Sequence, residues 1–177
     1  DASGHRGLAN EIGLIRKLKV KKLKLKIQED IARKIKDFLT IKIENPEDCL
    51  RYTARVMDGV KIGPSPEWLK QRLVVCGIQS INTIVDAANY VMLETGQPLH
   101  VFDFTTLKDK RQKTKAIMVR RAKNGEKIVT LDDKTYELNP EMLVIADEEA
   151  PIAIAGIKGG KESGVSGSTT TIVLESA

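Results

Sequence analysis

From residue 116 to residue 174 the chain is written in short apolar runs cut by tight turns, and this pattern restricts what it can fold into. The runs 117–121, 128–131, 135–138, 143–146, 152–155 and 171–174 each suit one strand, and Asn124-Gly125 and Asp132-Asp133 are turn dipeptides between them. Helical spacing belongs to the earlier part. Leu8, Ile12, Leu14 and Ile15 predict a short helix within 7–18. Ser65 is expected to cap a second helix that starts at Pro66, carries Trp68, Leu69, Leu73 and Val74 on one face and ends at Gly77. A third covers 80–93, with Ile81, Ile84, Val85, Ala88 and Met92 facing the core, and Gly96-Gln97-Pro98 breaks it. Helices first and strands later predict an α+β fold rather than an alternating α/β one. A strand is also expected at 51–56 and a strand, or a helix passing into one, within 31–43; Trp68 reads as a core anchor in preference to a base-stacking residue.

Charge is distributed unevenly. Residues 1–60 carry 14 Lys and Arg against 9 Asp and Glu, whereas residues 61–177 carry 15 of each. Polyanion contact is therefore a question for the first third alone. Within it, residues 17–26 hold six lysines and no acid in a partly alternating pattern, an extended segment with one wet face. It suits either a phosphate-contacting stripe or a solvated edge strand whose lysines block association. Cys49 and Cys76 are single cysteines, consistent with a reducing cytosol, and their spacing leaves one disulfide open. With His5 and His100 as the sole histidines and no CxxC pair, the usual zinc spacings cannot be assembled. No run approaches 18 apolar residues, so no membrane partner is expected, and no signal peptide is visible. The chain opens at Asp1 and reads as a piece of something longer.

Two stretches carry chemistry. Around Gly156 and Gly159-Gly160 the glycines allow positive φ and close approach of a ligand, or simply a tight turn. The run fails the Walker pattern, because Ala155 precedes and Glu162 follows Gly160-Lys161, and it fails GxGxxG as well. The second stretch is 89–103. His100 follows a helix end and a proline, with Asp103 near enough in sequence to orient it, and a structural role competes with a functional one. No GxSxG elbow is present, so triad catalysis lacks support. Residues alone give an α+β domain with a possible pocket at the His100 loop and the Gly156 turn, and no substrate.

At these same positions the chain resembles the beta chain of bacterial phenylalanyl-tRNA synthetases. The likeness is carried by Arg51-Tyr52-Thr53-Ala54-Arg55-Val56, Gly63-Pro64-Ser65-Pro66-Glu67-Trp68-Leu69, Ser80-Ile81-Asn82, Asp86 and Asn89-Tyr90-Val91-Met92-Leu93-Glu94. Gly96-Gln97-Pro98, His100, Phe102-Asp103, Val119-Arg120-Arg121-Ala122, Val144-Ile145-Ala146-Asp147, Gly159-Gly160 and Leu174-Glu175 continue it in order. The resemblance implies residues 46–177 as the B3/B4 editing domain, truncated at its C-terminus, and 1–45 as a leader from the preceding part of the chain. It implies an α+β fold with a mixed β-sandwich-like core and flanking helices. The implied activity is hydrolysis of tyrosine wrongly esterified to tRNA(Phe), within a cytoplasmic ligase that charges tRNA with Phe using ATP and Mg²⁺ as an α2β2 tetramer. The implied partners are the tRNA 3′ end carrying Tyr and the alpha chain; no cofactor is implied for this segment, which is expected to act weakly or not at all alone.

Carried over by position, Glu175 is similar to the carboxylate that receives the tyrosine hydroxyl, and Gly156 to a glycine of the pocket wall. His100 and Asn89 are similar to the polar residues near the ester, with His100 an orienter of water or substrate. Ala88 stands in the substrate site where many members have Thr, and Gln79 where many have Arg, so editing is expected to be retained but differently tuned. A non-catalytic tRNA-binding or structural module with a degenerate pocket is the alternative.

Overall fold

A computed structural model describes residues 2–21, 25–109 and 114–177. The described residues form three α-helices and ten strands: α1 (His5–Arg16), β1 (Leu39–Ile43), β2 (Thr53–Asp58), α2 (Glu67–Val75), α3 (Thr83–Thr95), β3 (His100–Asp103), β4 (Lys115–Arg121), β5 (Lys127–Val129), β6 (Thr135–Glu137), β7 (Leu143–Ala146), β8 (Pro151–Ile154), β9 (Lys158–Gly159) and β10 (Thr171–Ser176). They fall into two compact units that interleave in sequence. One is Asp1–Arg33 with Gly63–Leu99 and holds the helices; the other is Lys34–Ile62 with His100–Ala177 and holds the strands. The expected α+β class is what the chain adopts.

In the strand unit, β1-β4-β7-β8-β9 form a five-stranded sheet and β2-β10-β3 a three-stranded one, with β5-β6 a separate hairpin. Period-two alternation assigns the faces. Ile117 and Val119 of β4 and Ile145 of β7 turn to one side of the larger sheet. There they pack with Phe102 and Val173 from the smaller sheet and with Tyr52 just before β2, giving a β-sandwich core. Val144, Ala146 and Ile154 turn to the other side, where Ile128 and Leu138 of the hairpin region cover them. Two strands were not visible in the sequence, β3 and the two-residue β9. The hairpin region fastens β9: Leu131 donates its amide to the Gly159 carbonyl at 3.1 Å, and Thr130 bridges Gly160.

In the helical unit, Asn82 caps α3, its side-chain oxygen accepting from the amides of Ile84 and Val85 at 3.1 and 3.0 Å. Gly77 follows α2 at φ +77° and closes it as expected. Other expectations are corrected. Ser65 does not cap α2; Pro66 takes that position, and the Ser65 hydroxyl donates instead to the buried Asp86. Ser80 and the Ile81 amide bond the same carboxylate, so α3 starts at Thr83 and Ile81 is exposed. Trp68 is 53 % exposed and is no core anchor, because α2 is short and its core face is Leu69 and Leu73. The apolar side chains of α1 are largely exposed. In the lysine-rich run, Lys22, Leu23 and Lys24 lie outside the described residues; the described remainder is not a strand but an exposed irregular path after Lys17, which ends α1 at φ +54°.

Candidate functional site

β10 is the middle strand of the smaller sheet, and its register assembles the site. Glu175 lies directly opposite His100 on β3 and opposite Ala54 on β2. Directly opposed residues share a face, so the carboxyl and the imidazole stand side by side on the face that carries Phe102 and Val173 into the core. Tyr52, two residues before Ala54, follows the same parity. The pair therefore sits where the sandwich interior meets its end.

The surroundings of each group set its chemistry. His100 is half-buried, and its ring lies edge-to-face on Phe102 at 4.5 Å between centroids. Burial lowers its pKa, which favours the neutral imidazole at pH 7. Neither ring nitrogen is hydrogen-bonded among the described residues. Burial raises the Glu175 carboxyl above its usual range, an effect that the neighbouring Tyr52 phenol partly opposes. Tyr52 is only 6 % exposed, and its hydroxyl has no hydrogen bond of regular geometry among the described residues. Burial pushes that phenol well up, and the Glu175 charge beside it adds to the rise.

Gly159 on β9 is the wall that the sequence did not single out by role. A Cβ built there would stand 2.6 Å from Cε1 and 2.8 Å from Nε2 of His100, and 3.2 Å from Leu131 Cδ1. Only glycine lets β9 lie flat on the imidazole. The available signal was the glycine density of the 156–160 turn, which allows close approach to the backbone. Gly156 is at the β8–β9 turn, at φ +67° and exposed, with open space where a Cβ would project. Asp103 does not orient His100. Three positions along β3 it faces the other way, and its carboxylate accepts from the Thr105 amide and from the Thr105 and Thr169 hydroxyls. Asn89 and Ala88 belong to the helical unit, on α3, half-buried and buried respectively. Cys49 and Cys76 are both free thiols. Among the described residues no three His, Cys, Asp or Glu side chains cluster as a metal site would need, and no helix is long and apolar enough to cross a membrane.

A carboxylate, a neutral imidazole and a glycine wall can bind a hydroxyl donor and orient water at an ester; they hold no nucleophile for a covalent route. Comparison with known proteins shows where a segment of this kind occurs. The B3/4 domain family matches residues 48–177. The phenylalanine--tRNA ligase beta subunit of Anaeromyxobacter dehalogenans (strain 2CP-C) is 46% identical over 177 residues, all of this chain and 21% of that protein. The corresponding subunit of Aquifex aeolicus (strain VF5) is 46% identical over 172 residues, 97% of this chain and 21% of that protein. That of Protochlamydia amoebophila (strain UWE25) is 52% identical over 143 residues, 81% and 17%. The chain thus spans about a fifth of the length of these curated relatives. A crystal structure of an N-terminal fragment of the phenylalanyl-tRNA synthetase beta-subunit from Pyrococcus horikoshii shares the fold, at a TM-score of 0.55 and 14% identity, covering 97% of this chain and 50% of that one.

Proposed function

Because the chain belongs to the B3/4 domain family, as it occurs in phenylalanine--tRNA ligase beta subunits, we propose that its His100–Glu175 site hydrolyses the ester of tyrosine misattached to tRNA(Phe). The observation that carries this reading is the register placing Glu175 opposite His100 at the end of the sandwich. Glu175 is under-solvated, and the Tyr52 phenol beside it makes no hydrogen bond of regular geometry to it. A tyrosine phenol entering the site supplies the missing donor. Phenylalanine cannot, and its ring would further desolvate the carboxylate. A hydrogen bond to a charged group contributes about 1.5–3 kcal/mol, or roughly 10- to 150-fold preference for tyrosine. This is the logic of a second sieve that reads the hydroxyl the first must tolerate.

At the ester, the neutral His100 holds a water through an uncommitted ring nitrogen. The water oxygen attacks the carbonyl carbon, the bond to the ribose oxygen breaks, and that oxygen leaves with a proton. Gly159 fixes the ring's position, and for Gly156 as a wall of the amino-acid pocket the support is the family resemblance. For Asn89 as a polar neighbour of the ester and Ala88 as a substrate-site residue, the support is the family resemblance alone. ATP and Mg²⁺ would serve aminoacylation by the whole ligase, together with the alpha chain; the described residues offer no cluster to hold the metal.

The test uses the complete beta subunit carrying this segment, assembled with its alpha chain. It is expected to deacylate Tyr-tRNA(Phe), and Glu175→Ala to slow tyrosine clearance at least tenfold with Phe charging unchanged. Clearance no faster than in buffer would leave the non-catalytic tRNA-binding reading in its place.

A further inference from the structure

The helical unit contains a cleft of about 930 Å³ in which the hydrolytic site takes no part, lined from α1, α2, α3 and the segment after α1. Trp68 and Tyr90 meet there edge-to-face, 5.6 Å between centroids and at 90°. The Arg72 guanidinium lies 5.4 Å from the Trp68 centroid and 5.9 Å from that of Tyr90, and its Nη1 donates to the Tyr90 hydroxyl at 2.8 Å. The guanidinium is thereby held against both rings, while Trp68 keeps half its surface open. His5 at the rim is fixed by its Nδ1 contact with the Leu93 carbonyl at 2.8 Å.

Charge decides what such a surface can take. Arg6, Lys21 and Arg72 line the cleft, and none forms an ion pair among the described residues. Glu94 is the one acid among the described lining residues. An apolar helix would cover the rings and strand three cations away from water. A polyanion without rings would satisfy the cations and leave the indole bare. A single-stranded nucleic acid satisfies both, since every base offers a π-face and every phosphate a charge. We propose that this cleft binds single-stranded nucleic acid, with a base stacked on Trp68 and the neighbouring phosphates against Arg6, Lys21 and Arg72.

Trp68 is the only tryptophan in the chain, so its emission reports on the site directly. Titration with a mixed-sequence octaribonucleotide at 50 mM salt is expected to quench that emission to saturation. Raising salt to 200 mM should weaken binding about twentyfold, as for three phosphates on a single strand. With a dye-labelled octamer read by anisotropy, Trp68→Ala should weaken binding at least fivefold and Trp68→Phe much less, circular dichroism confirming the fold. If Trp68→Ala does not fold, Arg72→Gln carries the test, lowering the salt slope by about 0.7. An absence of quenching up to millimolar octamer overturns the proposal. So does inorganic polyphosphate binding as tightly as the octamer with Trp68→Ala unaffected, which is charge alone. Anilinonaphthalene sulfonate that occupies the cleft and resists displacement by the octamer would mark an apolar protein-docking surface and also overturn it. The titration contains no ester, so its failure and that of the hydrolytic reading are separate results.

Discussion

The buried Tyr52 hydroxyl stands beside the half-buried Glu175 carboxyl without a hydrogen bond of regular geometry among the described residues. A buried hydroxyl in that condition costs about 1–3 kcal/mol relative to a satisfied one. Tyr52→Phe removes it and keeps the ring in the core. The folded state is expected to gain about 1 kcal/mol, measured as a higher urea midpoint; a loss of that size would show that the hydroxyl is bonded after all. Gly159→Ala is the converse change, adding a methyl where the imidazole already stands. It should displace His100, seen as a shift of its ring resonances, and reduce deacylation with at most about 1–3 kcal/mol of destabilisation. His100 itself should titrate below its ordinary value of about 6.5. Its folded pKa is depressed, so the stability linked to it is complete above pH 6.5 and is lost as pH falls through the folded value.

Among the elements, α3 depends on one buried carboxylate. Burial alone would raise the Asp86 pKa, but hydrogen bonds from the Ile81 amide and the Ser65 and Ser80 hydroxyls outweigh it and hold the group ionised. Asp86→Ala would leave three donors unmet around the helix start, at a cost of roughly 3 kcal/mol or more, and Trp68 emission would follow the unfolding. Asp86 marks where the sequence was legible and where it was not. Helical spacing located α3, and glycine chemistry located the ends of α2 and α3, because both signals are local. Ser65 had every local mark of a cap and was diverted to a carboxylate 21 residues away. Trp68 read as core because size and apolarity cannot say that a nine-residue helix has only one buried stripe. β3 was missed since each of its four residues is chosen by its neighbours on β10, and β9 since two glycines look like a turn until another strand lies beside them. Of the site, Glu175 and His100 were named by resemblance, while their direct opposition came from strand register, which periodicity leaves open.

Across the whole molecule, the ionisable groups pull stability in opposite directions. Asp86, Asp103 and Glu126 all have folded pKa values below the ordinary ones; for Glu126 the main cause is the paired guanidinium of Arg120, at 2.8 Å, whereas for the two aspartates burial is outweighed by hydrogen bonds. Their contributions are complete above about pH 4 and are lost as pH falls through the folded values. Glu175 is raised, so its contribution is present below about pH 4.3 and is lost as pH rises through its folded value. Glu44 and Asp132 are lowered as well, so depressed carboxylates outnumber the one raised, and the urea midpoint is expected to fall between pH 5 and pH 2.5; an unchanged midpoint would mean these carboxylates are not held in the fold as described. The interleaving of the units has a consequence for chain reach. β2 and β3 both run antiparallel to β10, so they are parallel to each other, with β10 between them. Parallel strands cannot be joined by a hairpin; the chain must travel back along the sheet before the second begins. Residues 63–99 make that return journey, and they deliver position 100 at the end where β10 finishes. A shortened connection that forced β3 to start at the opposite end would set His100 against Ile172 or Thr171 instead of Glu175. The meeting of imidazole and carboxylate is thus a matter of how far the chain travels between two strands, and an insertion or deletion in 63–99 could abolish it without touching either residue.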